Sequence, residues 1–158
     1  MIEDLAKVAN SDAAAARKLV LDTNVWLDWL VFNDPSTQWL DQAERADPFQ
    51  LLATAHTRDE FLSVLPRTAI VKRLPQPRQR QEVAWRFESM LTLTGQPNRG
   101  LLTCTDPDDQ VFIDLALAHQ AQALVTRDKA VLALAKRAGK RYGLQIVTPN
   151  EYSTTYLK

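Results

Sequence analysis

One pattern recurs along this chain of 158 residues: a short apolar run ends at a polar turn, and apolar residues at helical spacing follow. In the first instance, apolar residues 19–21 precede polar residues 22–24, after which Val25, Trp26 and Trp29 fall on one helical face. Strands that are short, apolar throughout and separated by helices are typical of a parallel sheet covered on both faces. The sequence therefore predicts an α/β fold, a three-layer α/β/α sandwich around a central parallel sheet.

The same pattern divides most of the chain into strands and helices. Further apolar runs predict strands at residues 51–53, 101–102, 123–125 and 146–147. Residues 34–47 and 79–94 are predicted to be helical, and Gly139 is expected to end the helix after the fourth run. The polar, alanine-rich residues 1–17 are predicted to form a leader, which leaves residues 18–158 as a single domain.

The composition excludes several classes of protein. Nineteen basic residues balance nineteen acidic ones, so the chain is not expected to coat nucleic acid through a general positive charge. Cys104 is the single cysteine, which rules out an intramolecular disulfide and a cysteine-based zinc site and indicates a reducing compartment, the cytoplasm. No run approaches the roughly 20 apolar residues that a membrane span needs, so we expect no membrane association.

Four carboxylates follow the apolar runs by a few residues: Asp22, Glu60, Asp109 and Asp128. The loops at the carboxyl ends of parallel strands converge on one edge of a sheet, so these side chains are expected to meet. Taken singly, each acid is better explained as a helix cap. Capping does not require a carboxylate at every strand end, however, and collected negative charges are costly unless a cation neutralises them. Carboxylates without clustered His or Cys favour Mg²⁺ or Mn²⁺ over zinc.

The segments that carry these acids resemble those of a known family, the PIN-domain nucleases. Each acid lies in a segment that is similar to one of the family's four acidic motifs, and the first opens with Val-Leu-Asp-Thr-Asn-Val. The four segments are residues 20–25, 57–61, 106–116 and 124–128. The resemblance extends from Lys18 to about Tyr152 and is closest to the prokaryotic PIN-domain toxins of toxin–antitoxin systems.

This resemblance implies a metal-dependent endoribonuclease that hydrolyses phosphodiester bonds of single-stranded RNA, with the four acids as catalytic residues that hold Mg²⁺ or Mn²⁺. It also implies a cognate antitoxin protein as partner, and we expect a homodimer. In the third segment Asp106, Asp108 and Asp114 compete with Asp109. Asp109 is preferred because it combines a helix-start position with the family's spacing, and Asp108 is the second choice.

Other polar side chains are expected to support this site. Asn24 and Thr126 flank acids and are predicted to orient them, although a helix cap and a turn at a strand end explain them equally well. Seven basic residues crowd the stretch from residue 58 to 86, of which Arg58, Lys72 and Arg73 are predicted to contact RNA phosphates. A second basic run at residues 136–141 is the next candidate. Simple solvation is the alternative for both, and antitoxin binding is a further alternative for the first stretch.

Two other functions compete with the nuclease. The main alternative is a catalytically inactive module of the same fold that binds nucleic acid or protein, but a binder of polyanions gains nothing by collecting four negative charges. A phosphoaspartate receiver expects paired acids after its first strand, whereas Asp22 stands alone. The related phosphatases expect a second Asp where this chain has Asn24. Shortening of RNA is the property that separates the nuclease from all of them.

Overall fold

The structure of the chain is a computed structural model that describes residues 17–41 and 49–157. The predicted leader lies outside the described residues except for Arg17, which opens the first strand. Residues 42–47 of the helix predicted at residues 34–47 also lie outside them. The described part of that stretch contains the short 3₁₀ turn Pro35–Thr37, and residues 39–41 are helical as predicted. Among the described residues, no helix is both long enough and apolar enough to cross a membrane.

A parallel sheet of five strands forms the centre of the fold. The strands are β1 (Arg17–Leu21), β2 (Phe49–Ala53), β3 (Leu91–Leu93), β4 (Ala123–Val125) and β5 (Gln145–Val147). Their order across the sheet is β3-β2-β1-β4-β5, and every neighbouring pair is parallel. In the central strand, Leu19 lies beside Leu51 on one side and Ala123 on the other. The predicted α/β class is confirmed.

Helices cover both faces of this sheet. They are α1 (Thr23–Leu30), α2 (Ala55–Val64), α3 (Thr68–Arg73), α4 (Pro77–Met90), α5 (Gln110–Ala118), α6 (Lys129–Leu132), α7 (Ala135–Tyr142) and α8 (Pro149–Tyr156). Leu19 and Leu21 pack into one hydrophobic cluster, whereas Val20 packs into a second. Successive side chains of a strand point to opposite faces, so the apolar residues 19–21 of β1 join two cores and the fold has three layers.

An aromatic group in the first core fixes the helices that surround the strand ends. Trp26 of α1 meets Phe87 of α4 edge-on at 4.8 Å between ring centroids, and Phe61 of α2 stacks on Phe87 at 4.0 Å. All three side chains are buried. Large aromatic contacts of this kind dominate core energetics, so α1 and α2 are held rigidly relative to one another.

The edge strand β3 lies where the sequence predicted a helix. The helix predicted at residues 79–94 ends at Met90, and Leu91–Leu93 pair with β2 instead. The strand predicted at residues 101–102 was wrong, because these residues lie in a loop and the side chain of Leu101 is 89% exposed. Leu91 and Leu93 continue the apolar spacing of the preceding helix, so the local pattern did not reveal the strand.

The end of α7 also differs from the prediction. The helix runs through Gly139 and ends at Tyr142, so Gly139 is not its cap. Gly143 follows in the left-handed conformation, with φ of +69°, and its amide donates to the carbonyl of Gly139. Only glycine adopts this conformation without a steric cost, which makes Gly143 the residue that ends the helix.

Candidate metal centre

The strand order places the candidate site at the centre of the sheet. The chain runs outward from β1 to β2 and β3 on one side, while β4 and β5 lie on the other, so the direction reverses between β1 and β4. Ligands of open α/β sheets bind at the carboxyl ends of the strands where this reversal occurs. The amide of Asp22, just after β1, donates to the carbonyl of Val125 at the end of β4 at 3.2 Å. The segments that carry Asp22 and Asp128 are therefore adjacent.

Asp22 is the most buried acid of the site, with 5% of its surface exposed. Its Oδ1 accepts a hydrogen bond from the amide of Val25 at 2.9 Å and caps α1, and its Oδ2 accepts one from the hydroxyl of Thr126. Burial raises the pKa of Asp22 and outweighs the lowering effect of the hydrogen bonds from Thr126 and Val25; the charge of Asp128 raises the pKa further. The fold thus holds a carboxylate at a position where its charge is unfavourable.

Three further acids form a compact group beside Asp22. One carboxylate oxygen each from Asp106, Asp109 and Asp128 lies within 4.8 Å of the others. Burial raises the pKa of Asp109 to about 7, and the neighbouring charges of Asp128, Asp106 and Asp22 add to the effect. Negative charge is therefore concentrated between β1 and β4.

Asp109 supplies the clearest candidate donor atom for a cation. Its Oδ2 is buried and has no hydrogen-bond partner among the residues that the structure describes. An unpartnered buried carboxylate oxygen is costly unless it is protonated or bound to a cation. The surrounding donors are carboxylate oxygens, the set that hard divalent cations prefer. The residues present fit a Mg²⁺ or Mn²⁺ ion.

Helix capping explains two of the four predicted acids. Asp22 and Asp128 are N-caps, and Oδ1 of Asp128 accepts from the amide of Ala130 at 2.8 Å. Asp109 stands at the N-cap position of α5, but its side chain makes no capping hydrogen bond. Capping is thus the wrong interpretation for Asp109, and it also fails for Glu60.

Glu60 lies within α2, well past its start. The capping box of this helix is formed by Thr54 and Thr57, each of which accepts a hydrogen bond from the other's amide, at 3.2 and 2.9 Å. Oε2 of Glu60 instead accepts from the hydroxyl of Thr23 at 3.2 Å, across to α1. Glu60 is outside the group of three acids, but a contact with α1 aims it toward the same edge of the sheet.

All four predicted acids line one cleft of about 360 Å³. Asn24 and Asp108 also line it, so both predicted alternatives for the third acid, Asp108 and Asp109, face the same space. Much of the remaining wall is apolar and is formed by residues of α1, α2, α3 and α5. The cleft therefore combines a carboxylate cluster with a surface able to contact less polar parts of a ligand.

The predicted RNA-contacting residues do not line this cleft. Arg58 pairs with its neighbour Asp59 at 3.1 Å, and Nε of Arg73 makes a long hydrogen bond to the carbonyl of Val31 at 3.5 Å. Lys72 is exposed on α3. Arg67, which belongs to the same basic stretch of residues 58–86, is the basic residue that lines the cleft.

An ion-pair network that the sequence did not predict fixes the loop between β4 and α6. Arg127 pairs with Asp28 of α1 at 2.9 Å and with Asp34 at 3.2 Å, and it also donates to the hydroxyl of Ser36. Hydrogen bonds from Ser36 and Arg127 lower the pKa of Asp34 to about 2. These partners are more than 90 residues away in sequence, so spacing gives no signal for them.

Asp114, a competing acid in the third segment, has a structural role. It is buried, and its Oδ1 accepts from the amide of Gly100 at 2.9 Å and from the side chain of Gln110 at 2.8 Å. A Cβ atom on Gly100 would lie 3.2 Å from the same oxygen, so glycine permits the close approach. Asp114 anchors the loop before α5 and does not line the cleft.

Comparison with known proteins places these residues in a wider context. The model of the PIN domain family matches residues 18–130, a segment that contains every acid of the cleft. Nine chains of solved structures match, among them the crystal structure of VapBC2 from Rickettsia felis bound to a DNA fragment from their promoter. That match has a TM-score of 0.53 and 14% identity and covers 82% of this chain and 96% of the other, which shows a shared fold. No curated protein sequence matches the chain.

Proposed function

We propose that this chain, which belongs to the PIN domain family, is a metal-dependent endoribonuclease that hydrolyses phosphodiester bonds of single-stranded RNA. The observation that carries the proposal is the buried, unpartnered Oδ2 of Asp109 within a group of three acids. Such an arrangement suits a hard divalent cation, Mg²⁺ or Mn²⁺. A cation bound there would lower the pKa of water and stabilise the charge that develops on the phosphate oxygens during hydrolysis.

Four acids are assigned to hold the cation: Asp22, Glu60, Asp109 and Asp128. Asp109 is preferred over Asp108 because it belongs to the group of three acids and Asp108 does not. Asp106 does belong to that group, and we add it as a further candidate ligand. Carboxylates from separate segments enclose such an ion only if the fold holds each of them in place.

Neighbouring side chains orient these acids. The hydroxyl of Thr126 donates to Asp22 and accepts from the amide of Asp128 at 3.0 Å, so one buried group positions the segments after β1 and β4. Thr23 orients Glu60 through its hydroxyl. Arg127 holds the loop that bears Asp128 against α1. Asn24 lines the cleft beside them and is proposed to assist in orienting the acids.

We further propose that the chain acts as the toxin of a toxin–antitoxin pair, with a cognate antitoxin protein as partner, and that it forms a homodimer. The support is the resemblance of residues 106–118 to PIN-domain toxins and the fold shared with VapBC2. Co-expression with the protein encoded next to it, followed by co-purification and light scattering, tests the partner and the stoichiometry.

The nuclease proposal is tested by incubating the protein with labelled single-stranded RNA and Mn²⁺ or Mg²⁺. We expect cleavage that a chelator abolishes. Asp109→Asn should lower the rate at least about a hundredfold, which corresponds to roughly 2.7 kcal/mol of transition-state stabilisation. Asp108→Asn is the matched control and should remain within about fivefold of the parent. If the parent protein binds Mn²⁺ but leaves RNA intact, the alternative function is favoured, a catalytically inactive module that binds nucleic acid or protein.

The role of Thr126 gives a separate prediction. Thr126→Val keeps the shape of this buried side chain but removes both hydrogen bonds, so we expect divalent-cation affinity to fall by about ten- to a hundredfold. Titration calorimetry with Mn²⁺ measures the change. Thr126→Ser retains the hydroxyl and should bind nearly as tightly as the parent. Equal affinity in the Val variant would show that Thr126 does not position the acids.

A further inference from the structure

Most of the arginines between residues 58 and 86 already have partners within the fold. Carboxylates or backbone carbonyls accept hydrogen bonds or ion pairs from the side chains of Arg58, Arg73, Arg78, Arg80 and Arg86. The negative charge of a carboxylate partner offsets the positive charge of Arg58, Arg78 and Arg86, whereas Arg73 and Arg80 bond to neutral carbonyls and keep their full charge. The stretch is therefore less positive than its sequence suggests, because three of its seven basic residues are paired with carboxylates.

Helix α7 presents a different kind of surface. Its four basic residues, Lys136, Arg137, Lys140 and Arg141, are all exposed, and none forms an ion pair with another described residue. Together with Ala133 they line a surface depression of about 350 Å³ that contains no acidic residue. We call these four residues the α7 basic face.

The charges of this face are not explained by helix stability. Lys136 and Lys140 are one turn apart, as are Arg137 and Arg141, and like charges at this spacing destabilise a helix. Lys140 and Arg141 lie in the last turn, where the helix dipole favours cations. Lys136 and Arg137 lie in the first turn, where the dipole disfavours them. An anion bound across the face would offset both the repulsion between the like charges and the unfavourable interaction of Lys136 and Arg137 with the helix dipole.

The α7 basic face is linked to the acidic cleft by a short, ordered path. Asp128 caps α6, and hydrogen bonds continue through the turn between α6 and α7, from Leu134 to Val131 and from Ala138 to Leu134. A helical path rises about 1.5 Å per residue, so Arg141 lies within roughly 20 Å of Asp128.

Helix α7 leads away from the cleft edge of the sheet toward the start of β5, whose Gln145 pairs with Ala123 at the start of β4. Lys136 and Arg137 are therefore nearer to the cleft than Lys140 and Arg141, and a single strand that leaves the cleft along α7 would meet them first.

We propose that the α7 basic face binds the phosphate backbone of single-stranded RNA that extends from the acidic cleft. This inference rests on the proposed ribonuclease function. It resolves a difficulty of that function, because a chain with no net charge and an acidic site needs a local positive surface to attract a polyanion. Lysine and arginine supply that attraction without reading the base sequence.

The test measures RNA binding separately from cleavage. The full chain carrying Asp22→Asn is titrated, in the presence of a chelator, into a fluorescein-labelled oligouridylate of about 12 nucleotides, and fluorescence anisotropy is recorded at several salt concentrations. Adding Lys140→Gln and Arg141→Gln should weaken binding about tenfold at low salt. The slope of log affinity against log salt should become less steep by about 1.4, because each of the two lost phosphate contacts contributes roughly 0.7. Lys140→Arg keeps the charge and should bind as the parent does.

Two further double variants serve as comparisons. Arg78→Gln with Arg99→Gln removes the same charge from exposed positions outside α7 and should leave affinity and slope unchanged. Lys72→Gln with Arg73→Gln tests the surface predicted from the sequence and should have a smaller effect than the α7 variant. Circular dichroism melts verify that every variant is folded.

The inference is overturned if the α7 variant binds with unchanged affinity and slope, or if any comparison variant loses as much. It is also overturned if RNA binding is unchanged but the α7 variant no longer binds a co-expressed acidic protein, which would make this face a protein interface. Absence of cleavage by the parent chain, with RNA binding that still depends on α7, would instead contradict the proposed nuclease and leave the binding surface in place.

Discussion

Asp22→Asn is expected to abolish RNA cleavage, with a rate at least about a hundredfold below that of the parent, while the protein stays folded. The substitution retains the size of the side chain and an oxygen that can accept from the amide of Val25. It removes one full negative charge from a position that is 95% buried and coupled to Asp128. A single-turnover assay with excess enzyme and labelled single-stranded RNA measures the loss.

Stability should respond to the same substitution in the opposite direction. The pKa of Asp22 is higher in the folded chain than its usual value of 3.8, so the folded state holds this proton more tightly than the unfolded state does. Stability is therefore lost as pH rises from about 4 through the folded-state pKa, and at pH 7 the ionised carboxylate destabilises the fold. Asparagine removes this penalty, although Thr126 loses its charged acceptor. We expect a net gain of about 1 kcal/mol without metal, or roughly 2–4 °C in melting temperature.

Asp59→Asn is a suitable control for both measurements. Asp59 lies on α2, one residue before Glu60, but its side chain is 66% exposed and pairs only with Arg58 among the described residues. Its neutralisation should change neither cleavage nor the melting temperature appreciably. Cleavage by Asp22→Asn at the parent rate would remove Asp22 from the site, and a melting temperature lowered by several degrees would show that its charge stabilises the fold.

The sequence predicted the central features because they depend on local patterns and on general geometry. Short apolar runs identified β1, β2, β4 and β5, since a strand buried on both faces has no polar positions. The carboxyl ends of parallel strands share one edge, so the acids that follow β1, β2 and β4 were expected to converge, and they line one cleft. Asp109 also lines this cleft, but it does not follow a strand, because the residues just before its segment form a loop.

Features that depend on tertiary contacts were not predictable in this way. Leu91–Leu93 form a strand only because β2 offers a partner. No local pattern signals the ion pairs of Arg127, since its partners Asp28 and Asp34 are distant in sequence. The sequence presents Asp106 only as a competitor of Asp109, whereas a 3₁₀ turn at Pro107–Asp109 brings both acids into one group. In each case the decisive neighbour lies in a different segment or depends on a turn with no clear signature.

The second large effect is expected in the pH dependence of metal binding. Burial and the charges of Asp128, Asp106 and Asp22 raise the pKa of Asp109 to about 7. A cation must displace the proton held by this carboxyl group below that pH, so binding competes with protonation. The dissociation constant for Mn²⁺ should therefore be about tenfold larger at pH 6 than at pH 8 and about a hundredfold larger at pH 5, measured by titration calorimetry.

Thermal unfolding provides an independent measurement of the same competition. Without metal, the raised pKa of Asp109 means that stability decreases as pH rises from about 4 to about 7, because the folded state loses a proton that it binds more tightly than the unfolded state does. With Mn²⁺ at about a hundredfold excess over its dissociation constant at pH 8, mass action stabilises the protein by about 2.7 kcal/mol at pH 8. The same concentration should contribute only about 1.4 kcal/mol at pH 6. The metal-induced rise in melting temperature, roughly 5–10 °C at pH 8, should thus fall by about half.

Asp109→Asn separates Asp109 from the other acids that respond to pH. This variant should bind Mn²⁺ more weakly at pH 8. The ratio of its affinities at pH 8 and pH 6 should approach that set by Asp22, another acid of the cleft whose pKa burial raises. Asp114→Asn does not provide a control, because Asp114 accepts two hydrogen bonds that hold the loop before α5. Asp108→Asn does, since it changes a cleft residue outside the group of three acids and should keep the tenfold difference. A Mn²⁺ affinity in the parent protein that is the same at pH 6 and pH 8 would contradict the assignment of Asp109 as a ligand.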